Sequence, residues 1–217
     1  MQSIHITKGH GKLGKSENCS SAINSINTNT LSNDYCKKQN LNENSICFKC
    51  YSFNSLTKFR SNMIPPLERN SNLLSTSVID FNLLPTILEL YFRFNSHGEL
   101  INLIHLENYN NIALKNPHCT FTLWTKRFDL IKKFFDNNQK PKNLILIYSN
   151  SKLNNPIKKL PKYFNKTFNN VTKDQVNNFN INCYSKCVDC LLCYTCYTTL
   201  ALEHGFGSDK KLKKEKN

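Results

Sequence analysis

Ten cysteines define the chemistry this sequence could do: Cys19, Cys36, Cys47, Cys50, Cys119, Cys183, Cys187, Cys190, Cys193 and Cys196. Their spacing is uneven. Cys183-x3-Cys187-x2-Cys190-x2-Cys193-x2-Cys196 puts five thiols into one short segment, and Cys47-x2-Cys50, with Cys36 ahead of it, forms a second group. A backbone that returns a thiol every third or fourth residue can turn several thiolates onto one centre, as the runs of ferredoxin-type cubane proteins do. Two separated CxxC knuckles are also an ordinary zinc donor set. Cys36, Cys47, Cys50, Cys183, Cys187, Cys190, Cys193 and Cys196 are therefore expected to be metal ligands. An iron–sulfur cluster of the 4Fe-4S type is the first expectation and zinc the alternative. The division of ligands stays open between two four-thiolate sites and a three-ligand site with one open iron plus a closed site with a spare. Either way, residues 36–50 are expected against 183–196. Cys19 and Cys119 are isolated and fit the role of small core hydrophobes.

Metal ligation is preferred over disulfides because of compartment. Met1–His10 lacks the apolar run of a signal peptide, and no apolar stretch is long enough for a membrane span. The chain is accordingly expected to be cytoplasmic, where thiols stay reduced. Its net charge of +14 suggests a polyanionic partner, but of 29 basic residues only four are the arginines that phosphate recognition favours. The densest run is the tail, five lysines against two acids from Asp209 to Lys216. Abundant Asn, Lys and Ile read as coding bias, and most of the charge as solvated surface.

These ligands need elements to hold them. Residues 1–46 are polar and read as loops held by the first cysteine group. Tyr51–Ser75 reads as helix in two pieces broken at Pro65-Pro66. Leu88, Leu90, Phe92 and Phe94 alternate with Glu89, Tyr91, Arg93 and Asn95, a period of two that predicts a strand ending at the Ser96-His97-Gly98 turn. A helical stripe over Glu99–Asn111, a β-branched and aromatic strand at Cys119–Lys126, a helix over Arg127–Asn137 and an apolar strand at Asn143–Ser149 follow. Residues 151–180 carry little structural signal. Alternating strands and helices with short connections predict an α/β fold: a short parallel sheet or partial β/α barrel, with a cysteine-rich metal-binding lobe formed by both ends of the chain. One domain is expected over 1–205, carrying cysteine clusters at 19–50 and 183–196, with a basic flexible tail at 206–217.

A polar strand face is unusual in a parallel sheet, which is normally covered on both sides. Glu89, Tyr91, Arg93, Asn95 and His97, with Lys126 at the end of the next strand, are therefore candidate substrate or ligand residues, because such folds bind ligands at strand carboxyl ends. The competing reading is an edge strand with one wet face. The sequence contains no GxGxxG, P-loop, nucleophile elbow or zinc-protease motif.

Several short motifs in order resemble a family of phage and mobile-element proteins, the "gene product eighty-eight" family. They are Gly11-Lys12-Leu13-Gly14, Cys36, Cys47-Phe48-Lys49-Cys50-Tyr51, Arg60, Asn70, Tyr91–Leu100, Phe121–Lys126, Leu144–Ser149, and the cysteine run followed by His204-Gly205. More distantly, Cys-x2-Cys-Tyr before a β/α region resembles radical S-adenosylmethionine proteins. That resemblance implies a three-cysteine cluster at a barrel mouth, with one iron left for S-adenosylmethionine. The spacing Cys36-x10-Cys47-x2-Cys50 departs from the Cys-x3-Cys-x2-Cys of those enzymes. Two functions are therefore expected in competition: a cluster-binding protein acting as a reduced enzyme of that kind, and a non-enzymatic zinc- or cluster-stabilised module that binds nucleic acid or a host protein.

Overall fold

Residues 3–205, apart from 158, 180, 184 and 196–199, are described by the computed structural model. Cys196 and the 206–217 tail thus lie outside the described residues. The chain begins with two short strands, β1 (Ile6–Thr7) and β2 (Asn24–Ile26), then three helices, α1 (Asp34–Asn40), α2 (Tyr51–Lys58) and α3 (Ile64–Thr76). The alternating region follows as β3 (Tyr91–Phe94), α4 (Leu103–Lys115), β4 (Thr120–Thr125), α5 (Phe128–Phe135) and β5 (Leu144–Leu153). The chain then adds β6 (Lys166–Val171), a one-turn helix α6 (Cys187–Cys190) and β7 (Leu200–Gly205). Among the described residues, no helix is long and apolar enough to cross a membrane.

The expected parallel sheet is present and larger than the sequence signal. Strands stand in chain order, β1 to β7; β1 runs antiparallel to β2, and β2 through β7 are mutually parallel. Sequential order is the winding of a β/α barrel rather than of a doubly wound sheet, and it sends the crossovers to one face. The core reflects this. Phe92, Phe94, Phe121, Leu123, Leu144 and Leu146 from the strands pack with Leu74 of α3, Leu106, Tyr109 and Ile112 of α4, and Ile131 and Phe134 of α5. Phe94 is the hub, stacked on Tyr109 at 4.0 Å between centroids and on Phe121 at 5.0 Å. Cys119 is fully buried in this core, as expected of a small hydrophobe.

The opposite face has no helix from these crossovers. Ile145, Ile147, Tyr91, Trp124 and Phe168 on that side pack with Leu13, Ile23, Val188, Cys193 and Tyr194. The cysteine-rich segment thus covers the second face of the sheet.

Some local expectations are corrected. Pro65-Pro66 does not break a helix: both lie in the first turn of α3, where a missing N–H costs nothing, and the break falls at Phe59–Met63. The strand predicted from Leu88 begins only at Tyr91; Leu88 is 84% and Leu90 66% exposed, outside the sheet. The 151–180 segment contains β6, whose polar sequence KTFNNV hides its burial: Lys166 and Asn169 are fully buried. The first 46 residues contribute two strands and helix α1 as well as loops.

Buried asparagines fasten these elements together. Asn70 of α3 accepts from the His5 N–H at 2.7 Å and donates to the carbonyls of His5 and Asn27 at 2.8 and 2.9 Å. Asn108 spans from α4 to the carbonyls of Leu74 and Ser77. Asn143 donates to the carbonyls of Ala113, Asn116 and Cys119. An amide that carries both donor and acceptor can satisfy loop backbone groups that no ladder reaches.

Candidate functional site

Parallel strands end at one edge, and here four of them end in buried or half-buried polar residues. β2 runs into Asn27 and Thr28, β3 into Asn95, Ser96, His97 and Glu99, β4 into buried Thr125 and half-buried Lys126, and β5 carries Ser149 and Asn150. Asn27 organises the edge: its Oδ1 accepts from the Ser96 N–H and hydroxyl, both at 2.8 Å, and from the His97 N–H at 3.0 Å. Gly98 passes so close to Thr28 that a Cβ would stand 2.2 Å from its Oγ1, and its φ of +87° also demands glycine. Glu99 then ties β3 to β4, accepting from the N–H groups of Leu100 and Lys126, each at 2.9 Å, and from the Thr125 hydroxyl.

The three amino-terminal cysteines sit above this edge, each at the start of a helical element. The Cys36 N–H donates to the α1 cap Asn33, whose amide also donates to the Glu99 carbonyl at 3.0 Å. Cys47 opens a tight 3-10 turn, Ile46–Lys49, that packs against β5, and Cys50 closes it through its N–H to the Cys47 carbonyl at 3.1 Å. Cys50 is in turn the residue from which α2 starts. The β2-to-β3 crossover carries all three, so it delivers them to the carboxyl edge.

Electrostatics bind this group to Lys126. Burial raises the Cys36 and Cys47 thiols, and Lys126 pulls both back toward ionisation. Burial alone lowers the Lys126 ammonium, yet Cys47, Glu99, Cys50 and Cys36 together carry it above its ordinary value. Its Nζ donates to Ser149 Oγ at 3.1 Å. Such a cation among soft thiols suits an anionic, thiolate-bound centre. Among the described residues, no three or more Cys, His, Asp or Glu side chains stand in the arrangement of a formed metal-ion site. A polar groove of about 440 Å³ opens between the start of α1 and α3, lined by Ser32, Tyr35, Glu68, Ser71, Asn72 and Arg127 among others; none of the three cysteines lines it.

The expected ligand residues divide. His97 belongs to the edge: Nδ1 meets Ser52 Oγ at 2.9 Å, and burial first, then His10, Arg60 and Arg93, depress its pKa to about 4, so it stays neutral. Lys126 belongs there too. Asn95 leaves the face that alternation assigned it. Its φ of +58° is left-handed, which asparagine tolerates, and its Oδ1 accepts from Tyr109 on the helix-covered side at 3.0 Å. Tyr91 and Arg93 face the other side, Tyr91 against Tyr194 and Arg93 over Trp124. Glu89 precedes the strand and accepts from Asn24, away from the carboxyl edge. Residue reasoning overlooked Asn27, Ser52, Glu99 and Tyr51. Tyr51, next to Cys50, keeps a 64% exposed side chain while its hydroxyl donates to the Ser96 carbonyl. Glu99 had a signal in Gly98-Glu99 directly after a strand.

The lobe shared by 36–50 and 183–196 is corrected. The carboxyl-terminal run meets the amino-terminal part of the chain at residues 11–23 instead. α6 packs on Gly11–Leu13, Asp189 accepts from Ser16, and Lys186 Nζ donates to the Lys15 carbonyl at 2.8 Å. The reason is topological: one group rides a crossover that emerges at the strand ends, whereas the other follows β6 and crosses the face opposite α4 and α5.

The family model described as Gene product 88 matches residues 5–178. No curated protein and no solved structure matches the chain. The matched span includes the whole strand-edge site and Cys36, Cys47 and Cys50, and it stops before Cys183.

Proposed function

We infer that this chain, which belongs to the Gene product 88 family, binds an iron–sulfur cluster through Cys36, Cys47 and Cys50 and uses its open iron to hold a small polar molecule. One observation carries the reading: three cysteines in the β2-to-β3 crossover stand with half-buried Lys126 over the carboxyl edge of six parallel strands in sequential order. Three thiolates leave a cubane one iron short of protein ligands, and strand carboxyl ends are where β/α folds bind ligands. The donor set is soft and suits iron–sulfur chemistry; Glu99, engaged by three donors, is not needed as a ligand. Lys126 and the polar groove supply charge and hydrogen bonds to the ligand, and S-adenosylmethionine, with its amino and carboxylate groups, is the first candidate.

Anaerobic reconstitution tests this. The protein should turn brown, absorb near ~400 nm and bind iron and sulfide. S-adenosylmethionine should perturb the electron paramagnetic resonance signal of the dithionite-reduced protein and yield 5′-deoxyadenosine. Iron bound without any response to S-adenosylmethionine would remove the enzymatic reading. The net charge of +14 supports a second reading, a cluster- or zinc-stabilised module on nucleic acid. A mobility shift that weakens steeply with salt would favour it.

A further inference from the structure

Cys183, Cys187, Cys190 and Cys193 all line one small pocket on the face opposite α4 and α5, together with Leu191 and Tyr194. Local backbone makes this so. α6 brings Cys187 and Cys190 round a single turn. Leu191 then takes a left-handed φ of +51°, and a 3-10 turn over Leu192–Tyr194 folds Cys193 back toward them. A leucine in that conformation costs about 1–2 kcal/mol, so something must repay the reversal. Cys193 is buried, and Tyr194 beside it is wedged against Tyr91.

The surroundings are cationic. Arg93 and Lys12 act on Cys183 and Cys187, and Arg93 on Cys193 as well. The Arg93 guanidinium lies 4.3 Å from the Trp124 ring centroid, and its Nε is buried with no hydrogen-bond partner among the described residues. Arg93 as a whole is half-buried, and the unpaired N–H of its Nε is a donor that an anion beside it would satisfy. A cubane with four thiolates is such an anion.

We propose that Cys183, Cys187, Cys190 and Cys193 ligate a second, closed [4Fe–4S] cluster on the face opposite α4 and α5, separate from the centre at Cys36, Cys47 and Cys50. The structure thereby selects between the divisions that spacing left open. Three residues or fewer between successive thiols keep the whole ligand set on one wrap of backbone, unlike the paired knuckles of zinc sites. This centre lies beyond the family match, so it does not depend on the reading of the amino-terminal site.

Iron and sulfide counts on the anaerobically reconstituted full chain test it. Wild type should hold about eight of each, and Cys47→Ser/Cys50→Ser and Cys187→Ser/Cys193→Ser about four of each. The Cys47→Ser/Cys50→Ser protein leaves the carboxyl-terminal lobe untouched, so it stays informative even if the other variant fails to fold. It should show one cubane signal on reduction, and Arg93→Gln should lower the midpoint potential of that signal, because the lost cation no longer favours the extra electron. Absence of iron from Cys47→Ser/Cys50→Ser, zinc in its place, or full iron retained by Cys187→Ser/Cys193→Ser overturns the proposal. If wild type holds only about four iron and Cys47→Ser/Cys50→Ser keeps them, the closed centre stands and the amino-terminal reading falls.

Discussion

At the scale of single residues, the strand-edge site depends on groups whose bonding capacity is fully used. Glu99 is the clearest. Its carboxylate is buried and accepts from two backbone N–H groups and the Thr125 hydroxyl. A glutamine there has one acceptor oxygen and turns an NH2 toward a donor. Hydrogen bonds to a charged group are worth about 1.5–3 kcal/mol, so Glu99→Gln should lower the unfolding free energy by about 2 kcal/mol or more. Urea titration measures this, and an unchanged midpoint would show that Glu99 does not tie β3 to β4. Asn27 follows the same logic with three donors on one oxygen. The abundance of asparagine, which the sequence presents as compositional bias, is partly a set of buried struts. That role depends on which backbone groups lie nearby, and no spacing rule reveals it.

At the scale of elements, α4 shows how burial writes a pH dependence into the fold. His105 is fully buried, its Nδ1 accepts from the Ile101 N–H at 3.2 Å, and its ring meets Tyr109 edge-on at 4.3 Å. Burial depresses its pKa to about 3. The unfolded chain, with an ordinary histidine near ~6.5, therefore binds the proton first. Stability is complete above the unfolded value and falls as pH drops from about 6.5 toward 3, by up to about 1.4 kcal/mol per pH unit. His97, depressed to about 4, contributes with the same sign. Between pH 7 and 4.5, His105→Gln should lose less stability than wild type by on the order of 2 kcal/mol. Equal losses, read from urea midpoints at the two pH values, would falsify the assignment of a neutral buried histidine. The elements themselves were unevenly legible. α5 and β5 declare themselves through apolar periodicity, whereas β6 is hidden because its buried residues are polar, and β3 is shorter than its alternation because Leu88 and Leu90 stay outside the sheet.

At the scale of the molecule, one face of the sheet is covered by α3, α4 and α5 and the other by a cysteine-rich segment that holds the one-turn helix α6. On the proposed cluster binding, the two halves should respond differently to chelation. Chelation of the reconstituted protein under reducing conditions should raise amide hydrogen exchange in 183–195 and in the facing strand residues, while α4 and α5 stay protected, because their packing around Phe94 does not involve the clustered cysteines. Uniform exchange throughout would mean that the cysteine segment contributes nothing to the second face. The sequence by itself determined the two cysteine groups and the alternation of β3, α4, β4, α5 and β5, because thiol spacing and apolar periodicity are local and survive without a fold. It also carried the motifs of the family. Only the tertiary structure decided that the two cysteine groups part. The β2-to-β3 crossover emerges at the strand ends, whereas the connection between parallel β6 and β7 packs on the face opposite α4 and α5, a departure from the one-sided winding of the other crossovers. Which thiols meet is set by where a sheet sends its connections, and spacing along the chain does not contain that.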